Sequence, residues 1–340
     1  MNQSRPVTGR AADAWSQILW DEERKRYLLH TREDFGTEGG WREIRGQRTL
    51  SNENIEDFPG NWTVEAKWYL DREGKEERDR RQIYSLTSTL YHGMHIGLAT
   101  VLQHPRNITE GGLDRLRIRS DPRPKSLRLM VGGVDTVRRH ERDVVDAFLV
   151  VSRDGVNWDL ESIYKDDVLI ERGGDGDWDK DQIHPSPQII TLNHTHYIYY
   201  AGLNERHDCE STQKKSRIGL ARLVLDRFAA MVVSEGRNEG LLITKPFKLP
   251  SLSLILNSEM HIPGSMIEVD LLRAGGEEVL DSCIFRNKDD MDSTTSISKT
   301  TAQCDFQVIG GGGGHKQPVV HLRFCLHGGA RLFSFWFTDA

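Results

Sequence analysis

Apolar and polar residues alternate along most of this chain with a period close to two, the spacing at which a β-strand buries one face and solvates the other. Residues 17–30 (QILWDEERKRYLLH) predict a strand, a polar turn and a second strand. Residues 85–100 repeat this design with His92-Gly93 at the turn, and residues 188–201 repeat it again with Asn193-His194 there. Each segment is rich in β-branched and aromatic residues and bounded by turn formers, which predicts hairpins. A related segment follows each hairpin. Residues 144–158 (VVDAFLVVSRDGVNW) end in S-x-D-G-x-x-W, and residues 216–228 are a degenerate copy with Asp226 in place of Asp154. Residues 45–51, ending near Trp62, are a weaker copy. Hairpin plus hairpin, recurring three times, predicts an all-β chain of four-stranded units stacked as in a β-propeller. Long capped helical patterns are missing, which argues against a doubly wound α/β fold.

From about Gly240 the texture changes to short strands, at residues 241–244, 252–256, 266–272, 279–280, 319–325 and 331–337. That spacing suits a small β-sandwich. The expected division is therefore residues 1–239 for the propeller units and 240–340 for the sandwich. Inside the second part, Gly310 to Gly314 reads as a solvent-exposed tether, because it lacks the Lys-Ser/Thr and the helix that a phosphate loop needs.

Composition narrows the partners. The 45 basic residues are outnumbered by 51 acidic ones, for a net charge of −6, so no global field favours nucleic acid. The basic runs at 115–119 and 138–142 are interleaved with acidic residues and read as solvated strand faces. No run approaches the ~20 apolar residues of a membrane span. The N-terminal stretch has no apolar h-region; the expected compartment is cytoplasmic if that terminus is genuine and extracellular if it is truncated. Cys209, Cys283, Cys304 and Cys325 form no C-x-x-C pair, so zinc and redox motifs find no support. One disulfide among the last three is conceivable, with free buried thiols the preferred expectation.

The order of motifs carries a resemblance. SRDGVNW (152–158), WDKDQIHPSPQII (178–190), YIYYAGLNERHD (197–208), IGLARLVLDRF (218–228), LLITKPFKL (241–249) and LSLILN (252–257) follow one another. That succession resembles bacterial five-bladed propeller proteins related to glycoside hydrolase families 32 and 43, most clearly over residues 144–257. The resemblance implies a propeller followed by a β-sandwich, a carbohydrate ligand, and hydrolysis of a furanoside-type or related glycosidic bond by a carboxylate pair. Five blades are implied where three units are counted, so the first blades, with the nucleophile and stabilising aspartates of the clan, would lie outside this chain. A non-catalytic carbohydrate-binding relative is the alternative. S-x-D-G-x-x-W also compares with the sialidase Asp-box, one residue shorter, and is read as structural: Asp154 caps the turn and Trp158 packs between strands.

Propeller sites are lined by the first strands of the blades and the loops entering them. Asp13 with Trp15 precedes the first hairpin, Asp79 and Gln82 precede the second, and Asp179, Gln182 and His184 precede the third. Asp13, Asp79 and Asp179 are the candidate catalytic carboxylates. A retaining glycosidase needs two carboxyls ~5–5.5 Å apart and an inverting one ~6.5–9.5 Å, and the spacing selects neither. Asp79 sits in the charged run REGKEERDRR, where a solvated face is the competing reading. Arg32 follows the first hairpin with Glu33 and Asp34, and Asn204, Arg206 and His207 follow the third with Glu205 and Asp208. These, with Gln82, Gln182 and His184, are candidate sugar-hydroxyl partners, and Trp15, Trp178 and Tyr84 are candidate stacking platforms. No cofactor is expected. The four aspartates of GGDGDWDKDQIHPSP (173–187) do not make an EF-hand loop, since its sixth and twelfth positions hold Lys180 and Ser186. An irregular structural calcium site remains open.

Overall fold

A computed structural model describes residues 15–35, 44–56, 61–72, 81–103, 130–131, 134–135, 143–207, 215–260, 262–286, 301–307 and 318–338. The described chain is all-β apart from one helical turn, α1 (Glu161–Tyr164). It divides into two compact units, residues 1–222 and 223–340.

In the first unit, β1 (Gln17–Asp21), β2 (Arg26–Phe35), β3 (Ile44–Asn52) and β4 (Thr63–Trp68) form an antiparallel sheet in chain order. A second module is built from β5 (Arg81–Tyr91), β6 (Met94–Gln103) and β9 (Val144–Ser152), separated by the two-residue pair β7 (Met130–Val131) and β8 (Val134–Asp135). The far edge of β9 carries β10 (Trp158–Asp159) and β11 (Val168–Ile170). A third module consists of β12 (Gln182–Leu192), β13 (Thr195–Leu203) and β14 (Ser216–Val224). A parallel bridge between Gln182 and Val145 joins the second and third modules into one sheet.

Local chemistry explains the hairpins. His92 and Gly93 have φ of 46° and 75°, and Asn193 and His194 have 49° and 58°. Positive φ at both central residues is the turn whose twist matches that of paired strands. Strand β9 is buried on both faces, which explains its nearly unbroken apolar run. Phe148 and Val150 pack with Ile83, Leu86, Ala99 and Val101 on one side. Ala147, from the opposite face, packs with Leu98, Ile183 and Ile198.

The first strands of the three modules meet at Gln17. Its amide donates to the carbonyls of Ser88 on β5 at 3.0 Å and Pro187 on β12 at 3.4 Å, and accepts from Ser88 N–H at 2.6 Å.

The S-x-D-G-x-x-W turn is a capping device. Asp154 accepts from the backbone N–H of Val156 and Asn157 at 2.9 and 2.8 Å, and from the Ser152 hydroxyl at 2.9 Å. Gly155 has φ of +69°, and a side chain there would strike Leu28 and His95. Burial alone would raise the Asp154 carboxyl, but the hydrogen bonds from Asn157, Val156 and Ser152 outweigh it and hold the group well below the usual carboxylate range. Asp154→Ala is therefore expected to cost about 2 kcal/mol, because it strands two turn amides. Because the folded carboxyl is the more acidic, its contribution is present above pH ~3.8 and fades as pH falls below that. Urea unfolding at pH 7 checks this; an unchanged midpoint would show that the turn holds without its cap.

The second unit is a two-layer sandwich. One sheet orders β15 (Met231–Val232), β23 (Arg331–Phe337), β18 (Ser253–Glu259) and β21 (Thr301–Asp305). The other orders β16 (Glu239–Ile243), β22 (Val319–His327), β19 (Met266–Arg273) and β20 (Val279–Arg286), with β17 (Phe247–Lys248) also on β22. Leu254 and Leu256 from the first sheet share a core with Ile267, Val269, Leu271, Leu322 and Phe324 from the second. The division between the units falls before the expected residue 240. Asn257 donates to the Leu225 carbonyl at 2.8 Å and accepts from Arg227 at 3.0 Å, while Met231 pairs with Leu332, so residues 223–239 belong with the sandwich.

The expectation of free thiols is corrected at two positions. Cys283 on β20 and Cys304 on β21 form a disulfide, with Cα atoms 6.3 Å apart. Both strands are the outer edges of their sheets, and both side chains lean onto the shared core, so the bond staples the sandwich along one open side. Cys325 is free; Cys209 and the Gly310–Gly314 run lie outside the described residues.

Candidate functional site

The heads of β5, β9 and β12 and the tail of β13 lie side by side. Asp181 N–H donates to the Leu203 carbonyl at 3.1 Å, and Val145 N–H donates to the Asp181 carbonyl at 3.0 Å. The segment leaving β13 is pinned across these heads. His207 N–H donates to the Asp143 carbonyl at 3.1 Å, and the Gln182 amide donates to the Glu205 carbonyl at 2.6 Å. Asn204 accepts from Lys215 N–H through Oδ1 at 2.7 Å, which closes the base of the loop.

Polar side chains gather on this frame. His184 Nε2 lies 3.0 Å from Gln182 Oε1. An amide oxygen only accepts, so this contact places the imidazole proton on Nε2. The Tyr84 ring meets the edges of both His184 and His207, with centroids 5.8 and 5.3 Å apart. Gln82 Oε1 reaches Arg45 N–H of the first module at 3.5 Å. Asp181 is held by Arg206 at 3.0 Å and Lys180 at 2.7 Å. Asp146, buried at the head of β9, accepts from Arg172 Nε at 2.7 Å and Gln103 at 2.7 Å, and Arg172 also donates to the Lys180 carbonyl at 2.9 Å. Burial pulls the Arg206 guanidinium below its ordinary value; Asp181 opposes that, Arg172 adds to it, and Asp146 and Asp143 oppose it again. Beside the Asp146–Arg172 pair opens a cleft of about 530 Å³, lined also by Gln103, Val168 and Glu171.

The structure thus brings together Gln182, His184, Arg206 and His207, with Tyr84 between the two imidazoles and Asn204 anchoring the loop, while Gln82 meets Arg45 of the first module. Asp179 is held within the third module. It accepts from the Tyr200 hydroxyl at 2.8 Å, and burial, reinforced by this carboxylate, pushes the Tyr200 phenol up to about 12. Gly173 and Gly202 lie so close to Asp179 that a Cβ on either would clash with it. Trp178 stacks on Tyr200 with centroids 5.7 Å apart. Trp15 precedes β1 and is 52% exposed, and Arg32 is buried on β2, paired with Asp34 at 2.6 Å. Asp13, Asp79 and Asp208 lie outside the described residues. The four aspartates of the 173–187 stretch take different partners: Asp177 binds the Gly174 amide, Asp179 takes Tyr200, and Asp181 takes Arg206 and Lys180, while Asp175 sits exposed in the turn.

Asp143, Asp146 and Arg172 are not among the residues that the sequence pattern offers, and Asp181 enters there only as one of the four aspartates weighed for calcium. Asp143 and Asp146 head β9, the third strand of its module, and so do not stand ahead of a first strand. The signal available was an aspartate inside the most apolar strand, VVDAFLVVS, where only a partnered carboxylate can be buried.

No family model matches the chain, and no curated protein matches it. Among solved structures it is similar to a glycoside hydrolase, at 13% identity and a TM-score of 0.35, over 66% of this chain and 47% of that one. This chain therefore spans about half the length of that structure. It is also similar to an exo-inulinase from Aspergillus awamori (9% identity, TM-score 0.30, 98% of this chain and 70% of that one). The exo-beta-1,3-galactanase from Phanerochaete chrysosporium matches at 6% identity and a TM-score of 0.21, over 97% of this chain and 84% of that one. These neighbours are glycoside hydrolases, and likeness at such TM-scores assigns no residue a role.

Proposed function

We propose that the first unit, with its modules as propeller blades, binds a carbohydrate at the strand heads and hydrolyses a glycosidic bond there. The observation that carries this reading is the grouping at the strand heads of the Asp181–Arg206 and Asp146–Arg172 pairs with Asp143, whose carbonyl holds His207 N–H, beside the amide, imidazole and phenol groups of Gln182, His184, His207 and Tyr84. Sugar hydroxyls both donate and accept, and mixed planar groups of this kind answer both needs. Asp181 and Asp143 are the proposed carboxylate pair, and Asp179 is the rival assignment.

A second reading, carbohydrate binding without cleavage, is favoured by a specific observation. Asp146 and Asp181 are each matched by an arginine, and both are under a tenth exposed.

Chromogenic furanosides and direct oligosaccharide titration separate these readings. Asp181→Asn is expected to lower kcat roughly 10²–10⁴-fold, as loss of a catalytic carboxylate does. Equal hydrolysis by Asp181→Asn would remove Asp181 from the chemistry, and a loss confined to Asp179→Asn would move the role there. Binding without turnover, weakened by Gln182→Ala, would establish the non-catalytic reading.

A further inference from the structure

On the sandwich, the outer face of the five-stranded sheet gathers a ligand set unrelated to the strand-head cluster. Alternation along β22 points Val320, Leu322, Phe324 and Leu326 into the core and Cys325 and His327 away from it. Glu239 on β16 lies directly opposite His327, and Glu268 on β19 lies directly opposite Cys325. All four side chains therefore share one face. One ligand atom each from Glu239, Cys325 and His327 lies within 4.8 Å of the others. Glu268 stands 3.9 Å from His327 Nε2.

Two further observations single out this group. His327 Nε2 is withdrawn from solvent and makes no hydrogen bond among the described residues. The neighbouring cation, Arg323, is engaged by Asp270 at 2.7 Å and does not neutralise the two glutamates. We propose that Glu239, Cys325 and His327 form a binding site for a borderline-soft divalent cation of the zinc type, with Glu268 as the fourth group. Thiolate, imidazole and carboxylate together are a donor set that such ions favour over magnesium or calcium. Bonds of ~2.0–2.3 Å place tetrahedral ligand atoms about 3.3–3.8 Å apart, so side-chain rotations of roughly 1 Å close the site. Burial, and then the carboxylates of Glu239 and Glu268, push the Cys325 thiol up. A bound cation reverses that balance and displaces the thiol proton.

Cobalt(II) is the probe, added to the full chain carrying Cys209→Ser and freed of metal by a chelator. Thiol reductants are omitted so that Cys283–Cys304 stays closed. The expected result is one equivalent of cobalt bound with thiolate charge-transfer absorption in the near ultraviolet, one proton released, and displacement by zinc. Cys325→Ser abolishes the absorption, His327→Gln and Glu239→Gln weaken binding, and Glu268→Gln weakens it roughly tenfold. Glu239 is exposed, so its variant retains the fold and carries the test if Cys325→Ser does not. Absence of the charge-transfer band, or unchanged affinity in both His327→Gln and Glu239→Gln, overturns the proposal.

Discussion

Lowering the pH from 7 to 5 is expected to destabilise the first unit by about 2 kcal/mol through His30 alone. His30 is fully buried between the hydroxyls of Thr49 and Ser88, each 3.2 Å from a ring nitrogen. Burial, with a smaller contribution from His95, pushes its imidazole down to about 3. In the unfolded chain the same ring titrates near 6.5. Above that value both states are neutral and stability is unaffected. Between about 6.5 and 3 the unfolded chain takes up a proton that the folded chain refuses, so stability falls steadily with pH. His95, also fully buried, acts in the same direction: burial lowers it, and the facing carboxylates Asp21 and Asp154 only partly oppose that, with Arg24 acting against them. Carboxylates titrate lower, which makes the window above pH 5 specific to histidine. Urea midpoints at pH 7 and 5 give the measurement, and His30→Gln should flatten the dependence. A midpoint that does not move between the two pH values would mean that the His30 site admits a proton at little cost.

Loss of the Cys283–Cys304 disulfide is expected to destabilise the second unit by about 3 kcal/mol, the chain-entropy value for a loop of this length. The two cysteines are separated by 21 positions, and they join edge strands that belong to opposite sheets and are not paired with each other among the described residues. A double Cys→Ser variant avoids the separate effect of a reductant on Cys325. Unfolding followed by calorimetry should show one transition moved by this change and the other by acid, since the cystine and the buried histidines lie in different units. Identical transitions with and without the disulfide would show that the sandwich core alone holds the edges together.

The hairpins were legible because their turn residues and period-two strands are local signals; His92-Gly93 and Asn193-His194 sit where the sequence placed them. The capping turn at Asp154 was legible for the same reason. The sandwich strands were found largely in place, but β21 was not, because TAQCD turns only the two small residues Ala302 and Cys304 to the core, a weak signal, and its pairing with β18 is set by long-range contacts. The cystine escaped for a related reason, as one of its residues lies on that strand. The division before residue 223 depends on Asn257 reaching back to Leu225, a contact between distant residues that composition does not reveal. Gln182, His184, Arg206 and His207 flank predicted strands, a local signal, so their place at the strand heads was legible while their role is the proposal above. Asp143, Asp146 and Arg172 were not legible, because what assembles them is the pairing of β9 with β6, β11 and β12 rather than any short motif.

The amide of Gln17 bonds to two strands besides its own. A β-strand displaced by one residue turns every side chain to the opposite face. A slip in β1 would therefore swing this amide away from both neighbours at once, and a slip in β5 would offer it Thr87 or Thr89 in place of Ser88. One side chain thus acts as a register gauge for three separately closed hairpins, rejecting misaligned assemblies that their own turns would tolerate.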